Sequence, residues 1–255
     1  RKCNLPSGHL SFVNGSKIHC YFLKCKFMSS WKEIWNSRHP DRVSDLEDLI
    51  KLNGFDTNGT SFTADSWIKY VESFQKIIPI KPSDSVFEFG CGCGAFLTPL
   101  YDKGHEVGGI DYSEALISVA KINMVNAEFR LQNANESFGA KKYDIVMSHS
   151  VFQYFDSLEF ARIVCRNMLE KSSRKVAILD IPNIQLQRES ECARSLVQIG
   201  NAKRKGLDKV RHLYYEKRWF EQILENEKVD IEIVDQNVDG YINSNFRFNV
   251  IMTKP

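Results

Sequence analysis

The sequence predicts an α/β chain in which strands and helices alternate around a mostly parallel sheet that an antiparallel pair completes. Three observations carry that prediction. The apolar run VFEF at 86–89 ends in Gly90, Gly92 and Gly94, as a strand does when it reverses tightly into a helix and lets a ligand reach its backbone. Strand-sized runs near 107–110, 143–148 and 175–182 alternate with stretches of helical spacing, the pattern of a parallel sheet. The final runs, VDIEIVDQ and FRFNVIMT, are joined through Asp239-Gly240 and Asn243 with no room for a helix, so they are expected to pair antiparallel.

Taken in order, the first 32 residues contain no acidic residue, but they lack an apolar core followed by a small-residue cleavage site, so a secretory signal is not supported. An organelle-targeting segment and an extension upstream of a start at Met28 both stay open. Trp31, Ile34 and Trp35, then Leu46, Leu49 and Ile50 before Asn53-Gly54, have helical spacing. A third helix is expected from Asp65 or Ser66 through Trp67, Tyr70, Val71, Phe74 and Ile77 to Pro79. Residues 1–65 thus read as an extension and helical cover, and 66–255 as the main domain. An aromatic stripe at helical spacing is ordinarily core. Of the three tryptophans, Trp67 is the expected lid over the ligand, because its helix leads directly into the first strand.

Composition narrows the function. The 255 residues carry 34 Lys and Arg against 32 Asp and Glu, a formal charge of +2, which argues against nucleic acid or an anionic membrane as partner. No apolar run could cross the roughly 30 Å core of a bilayer, and a cytoplasmic protein is expected. The seven cysteines are odd in number and scattered, which fits a reducing compartment, and the Cys91/Cys93 pair reads as part of the turn rather than a metal site. No metal is expected.

Gly90, Gly92 and Ala95 also satisfy the G-x-G-x-x-G/A dinucleotide fingerprint. Glu88 separates the two readings, since a carboxylate at that mouth would repel a pyrophosphate yet pair with the ammonium of an amino-acid moiety. Here the sequence resembles the class I S-adenosylmethionine-dependent methyltransferases, with their E/D-x-G-x-G-x-G loop after the first strand. The resemblance implies a Rossmann-like, doubly wound seven-stranded sheet with an antiparallel last strand. It also implies S-adenosylmethionine as cofactor and S-adenosylhomocysteine as product. Glu88, Gly90, Cys91, Gly92 and Gly94 would hold the methionine part. Asp111 would take the ribose, at the separation of about 20 residues expected of such a carboxylate, beside Tyr112. Asn133 and Ala134 in AEFRLQNANE would meet the adenine, and Ser148 and His149 in KYDIVMSHSVFQYF would complete the site. Each motif has a plainer reading as a tight turn or a helix cap, which Asp111 or Ser113 could be.

For the chemistry, His149 is the candidate general base, on the premise of a pKa near neutrality. A hydrogen bond to the cofactor or a helix cap is its alternative role. Tyr154 is a second catalytic candidate that would orient the acceptor. The segment 183–215 is expected to be a substrate lid, with Lys203, Arg204, Lys205, Lys209, Arg211 and His212 favouring an acceptor that bears carboxylate or phosphate. Asp208 within that run also allows a plain solvated helix. The reading reached is methyl transfer to oxygen or nitrogen of a small, anionic molecule by a monomer or homodimer. Alternatives are a protein or RNA acceptor and a non-catalytic regulator that binds the cofactor.

Overall fold

Local sequence starts four helices with the same device. Ser30, Asp45, Thr63 and Ser157 each accept a hydrogen bond from the backbone N–H three residues on, which satisfies a donor that the first helical turn leaves bare. In the computed structural model, which describes residues 30–38, 43–55, 62–137, 139–200, 210–238 and 241–255, these are α1 (Trp31–Asn36), α2 (Leu46–Leu52), α3 (Ala64–Gln75) and α6 (Leu158–Lys171). Between and after them lie β1 (Val86–Phe89), α4 (Thr98–Asp102), β2 (Val107–Asp111), α5 (Glu114–Asn123), β3 (Glu128–Leu131) and β4 (Tyr143–His149). The chain continues through β5 (Ser172–Pro182), α7 (Gln187–Gly200), α8 (Lys217–Ile223), β6 (Asp230–Asp235) and β7 (Arg247–Thr253).

The seven strands form one sheet in the order β3-β2-β1-β4-β5-β7-β6. The pairs from β3 to β5 are all parallel, and β7 runs antiparallel to both β5 and β6. The expected mixed sheet and its closing antiparallel strand are both present. Strand alternation divides the core between two faces. Val86, Ile145, Met147, Ala177 and Leu179 pack with α2, α3 and α5 on one face, while Phe87, Phe89, Val146, Val176 and Ile178 pack with α6 and α8 on the other.

Strand β5 begins three residues before the run expected from sequence and is the longest in the sheet. No helix among the described residues is long and apolar enough to cross a membrane. The first 29 residues, with Cys3, Cys20 and Cys25, and the cluster Lys203, Arg204, Lys205 and Lys209 lie outside the described residues, as does Asp239-Gly240.

Candidate active site

Strand alternation puts Glu88 on the same face of β1 as Val86, beneath the turn that follows. This turn is left-handed at Gly90 (φ 75°) and Gly92 (φ 55°), where L side chains are strained. A Cβ at Gly90 would lie 2.6 Å from a methyl of Val151, and one at Gly92 would run into the Asn53 amide oxygen. The bare backbone thus borders a cavity of about 410 Å³, with Glu88, Gly90, Gly92, Asp111, Tyr112, Asn133, Ala134, His149 and Tyr154 among its lining residues. Such a volume lies within the range of small-molecule and cofactor sites.

Two carboxylates set the electrostatics. Glu88 is buried, and its Oε2 has no hydrogen-bond partner in the protein. Burial, reinforced by nearby Asp111, pushes its carboxyl well above the usual range. Asp111 ends β2 and accepts from the N–H of Gly92 (3.0 Å) and of Ser113 (2.8 Å). These bonds aim the carboxylate across the glycine turn. Burial outweighs them and raises its pKa to about 6.

The adenine-side candidates lie where β3 ends. Asn133 and Ala134 both line the cavity, and the Asn133 amide donates to Glu136 Oε1 at 2.9 Å. Ring Trp35 and Tyr154 close the opposite side, where their centroids approach to 5.2 Å.

At the end of β4, His149 shares a 2.7 Å hydrogen bond through Nε2 with Tyr70 Oη and stacks on Phe55 with centroids 5.3 Å apart. Burial depresses its pKa to about 4. The premise of a near-neutral imidazole is therefore not met, and the nitrogen facing Tyr70 is already engaged. The next residue, Ser150, has φ 56°. Strain of this kind in a non-glycine residue concentrates at functional sites.

Beyond Ser150 a second, smaller cavity of about 50 Å³ adjoins the first, and Asn53, Phe55, Ser150 and Tyr154 border both. Its other walls include Gln153, His212, Tyr241, Asn243 and Arg247. Behind it, buried Asp180 (φ 61°) accepts from Gln236 Nε2 at 3.0 Å and Tyr241 Oη at 2.9 Å.

Several expected contacts are corrected. Trp67 is fully buried in the core, where Nε1 donates to the Ala95 carbonyl (2.8 Å), and it does not line the cavity. Trp31 and Trp35 line it instead. Cys91 turns its side chain inward over Gly109. Ser148 is buried with its hydroxyl on the Phe89 carbonyl (3.0 Å), and Gly94 abuts Met124. None of these three reaches the cavity. Arg211 is exposed and lines neither cavity, although its carbonyl accepts from Trp31 Nε1 at 2.9 Å. Of the basic candidates described in this segment, Arg211 and His212, only His212 faces the small cavity.

Asn53 was missed. It sits at the C-terminal cap of α2, where its amide donates to the Cys91 carbonyl (3.2 Å) and accepts from the Cys93 N–H (2.9 Å). Sequence offered only a helix breaker, Asn53-Gly54. Arg247 and Asp180 were missed too, although each is a charge bordering an apolar run of its strand.

The strand order, the antiparallel β7 and the glycine turn over Glu88 define the class I methyltransferase fold, and residues 87–177 match the model of a family described as a methyltransferase domain. The chain shares that fold. It is similar to the putative methyltransferase 235L of Invertebrate iridescent virus 6, 29% identical over 127 residues that make up 48% of this chain and 47% of the viral protein. The chain thus matches about half the length of that curated relative.

Among solved structures, magnesium protoporphyrin IX methyltransferase from Synechocystis PCC 6803 with bound S-adenosylmethionine superposes with a TM-score of 0.53 at 17% identity. The match covers 90% of this chain and 93% of that one. The plantazolicin methyltransferase BpumL, in complex with a desmethyl-plantazolicin analogue and S-adenosylhomocysteine, gives 0.54 at 21% identity over 74% and 82% of the two chains.

Proposed function

We propose that this chain transfers the methyl group of S-adenosylmethionine to an oxygen or nitrogen of a small, acidic molecule. The observation that carries this reading is the unpartnered Glu88 Oε2, buried at the wall of the large cavity beside the glycine turn. An orphaned acceptor of this kind costs about 1–3 kcal/mol, and more if charged. An α-ammonium group of the ligand would supply the missing donors and favour the ionised acid. A pyrophosphate would do neither.

The remaining lining residues fit the same ligand. Asp111, aligned by its two backbone donors, has lone pairs left for the ribose hydroxyls. Tyr112, Asn133 and Ala134 border the adenine end, and the Asn133 amide would meet the ring there. When bound, the cofactor supplies a sulfonium methyl whose C–S bond breaks as the acceptor lone pair bonds to carbon, the C–S electron pair remaining on sulfur. The protein's part is to exclude water and hold the acceptor in line. Phe55, Trp35 and Tyr154 wall the space, and the Tyr70–His149 pair fixes the junction between the two cavities. A weakly basic His149 is a positioning residue in this reading. The acceptor proton leaves to solvent after transfer.

Calorimetry with S-adenosylhomocysteine, followed by incubation with methyl-labelled S-adenosylmethionine and whole host extract that retains its small molecules, tests the proposal. Label in the small-molecule fraction, absent with Asp111→Ala, is the expected result. Label in polymer would move the acceptor to protein or RNA. Cofactor binding without transfer across extracts that contain the full set of metabolites would make the pocket regulatory.

A further inference from the structure

Arg247 opens β7 with its side chain only 2% exposed, yet neither Nε nor Nη1 has a hydrogen-bond partner in the protein. Its nearest acid, Asp180, lies 3.6 Å from Nε, close enough to compensate charge and too far for a hydrogen bond. Asp180 is committed elsewhere, one oxygen taking Gln236 and the other Tyr241. Arg247 reaches the small cavity, whereas Asp180 does not. A residue that lines the free space thus keeps unused donors beside it, while the carboxylate behind it is satisfied.

The surroundings have the same sign. Arg194 Nη1 lies 2.9 Å from His212 Nδ1. Because a guanidinium can only donate, that nitrogen accepts and the imidazole proton sits on Nε2. Burial, with Arg194 and Arg247 adding to it, holds His212 well below its ordinary pKa, so it adds a donor and no charge. The two guanidiniums then outnumber the single carboxylate. Tyr241 and Asn243 contribute further polar wall.

We propose that this small cavity is an anion subsite in which Arg247 takes a carboxylate of the methyl acceptor. Calling the ligand an acceptor rests on the methyltransferase reading above; the anion site itself does not. The space of about 50 Å³ holds about three to five water-sized groups at roughly 10–15 Å³ each, which suits a carboxylate and the carbon that bears it. Phe55, Ser150 and Tyr154 border both cavities, so a molecule anchored there extends toward the glycine turn. Selectivity for an acid would thus come from a buried strand residue, where the sequence pointed to a basic surface segment.

The test is an NMR titration of the S-adenosylhomocysteine-saturated protein, labelled with ¹⁵N-arginine, using acetate and its neutral analogue acetamide. A charge-assisted bond to a buried guanidinium predicts about tenfold or more tighter binding of acetate, with a shifted Arg247 Nε signal. Arg247→Gln should abolish the preference and leave the S-adenosylhomocysteine Kd unchanged. If that variant does not fold, Asp180→Asn/Arg247→Gln removes both charges together and serves in its place. Equal affinity for the two probes, or an acetate preference that survives in a folded variant, overturns the subsite. Acetate preference in a protein that does not bind S-adenosylhomocysteine would retain the subsite and reject the cofactor reading.

Discussion

Glu88 and Asp180 are both buried carboxylates on strands of one sheet, but only Asp180 is provided for within the protein. Its oxygens take an amide and a phenol, and Arg247 supplies a countercharge. Glu88 has an oxygen with no partner and a second acid nearby. The difference separates structural from functional burial. Beside Asp180 the unmet hydrogen-bonding capacity lies on Arg247 instead, so the proposed sites differ in the charge of the ligand group they would take.

The sharpest test of that contrast is the same chemical change at both acids. Asp180→Asn keeps an acceptor and tolerates the left-handed backbone, but it strands the Arg247 charge. A loss of about 3–5 kcal/mol is expected, and thermal unfolding would show it as a fall of at least about 6 °C. Glu88→Gln removes a charge that the fold does not compensate. Its melting temperature at pH 7 should hold or rise, while its affinity for S-adenosylmethionine drops about tenfold or more. Equal destabilisation by the two variants would erase the distinction.

Titration gives the next largest effect. Asp111 binds its proton more tightly when folded, at about 6, than the ordinary carboxylate value of 3.8. Between those values the native state holds more protons than the unfolded chain, so the stability of the free protein should fall as pH rises through that window. Glu88 shifts in the same direction. Ligand binding should run the opposite way and strengthen as pH climbs through 6 and Asp111 ionises. Calorimetry in buffers of different ionisation enthalpy would detect the accompanying proton release. A pH-independent Kd would break the assignment.

How far the sequence foretold this arrangement depends on chain distance. Glu88, Gly90, Gly92 and Asp111 fall within one β-α-β unit, where strand alternation and spacing set their positions, and all four line the large cavity. The small cavity draws on residues near 53, 150, 212 and 247, which only the completed sheet brings together. The tryptophans show the same limit. A helical stripe identifies apolar residues without identifying what each will face, and Trp67 proved to be core while Trp31 and Trp35 reached the ligand space. His149 lines the large cavity. Its environment, set by Tyr70, Phe55 and Phe96, was not legible from its neighbours in sequence.

The smallest effect concerns the bridge from cover to core. Asn53→Ala removes bonds to both Cys91 and Cys93 and should cost about 1 kcal/mol, or about 2–4 °C in Tm. The loss of affinity for S-adenosylhomocysteine should exceed what the stability change explains, because the glycine turn would lose an external support.

Trp31 touches three parts of the ligand space at once. Its indole donates to the Arg211 carbonyl, its ring lies 4.7 Å from that of Tyr154 and 5.1 Å from that of His212, and the residue lines the large cavity. A segment that precedes the sheet is thereby tied to one that follows β5, across the space between them. Replacing Trp31 with alanine is therefore expected to loosen the 211–212 segment and to speed ligand exchange at the large cavity together, which stopped-flow release of S-adenosylhomocysteine would read.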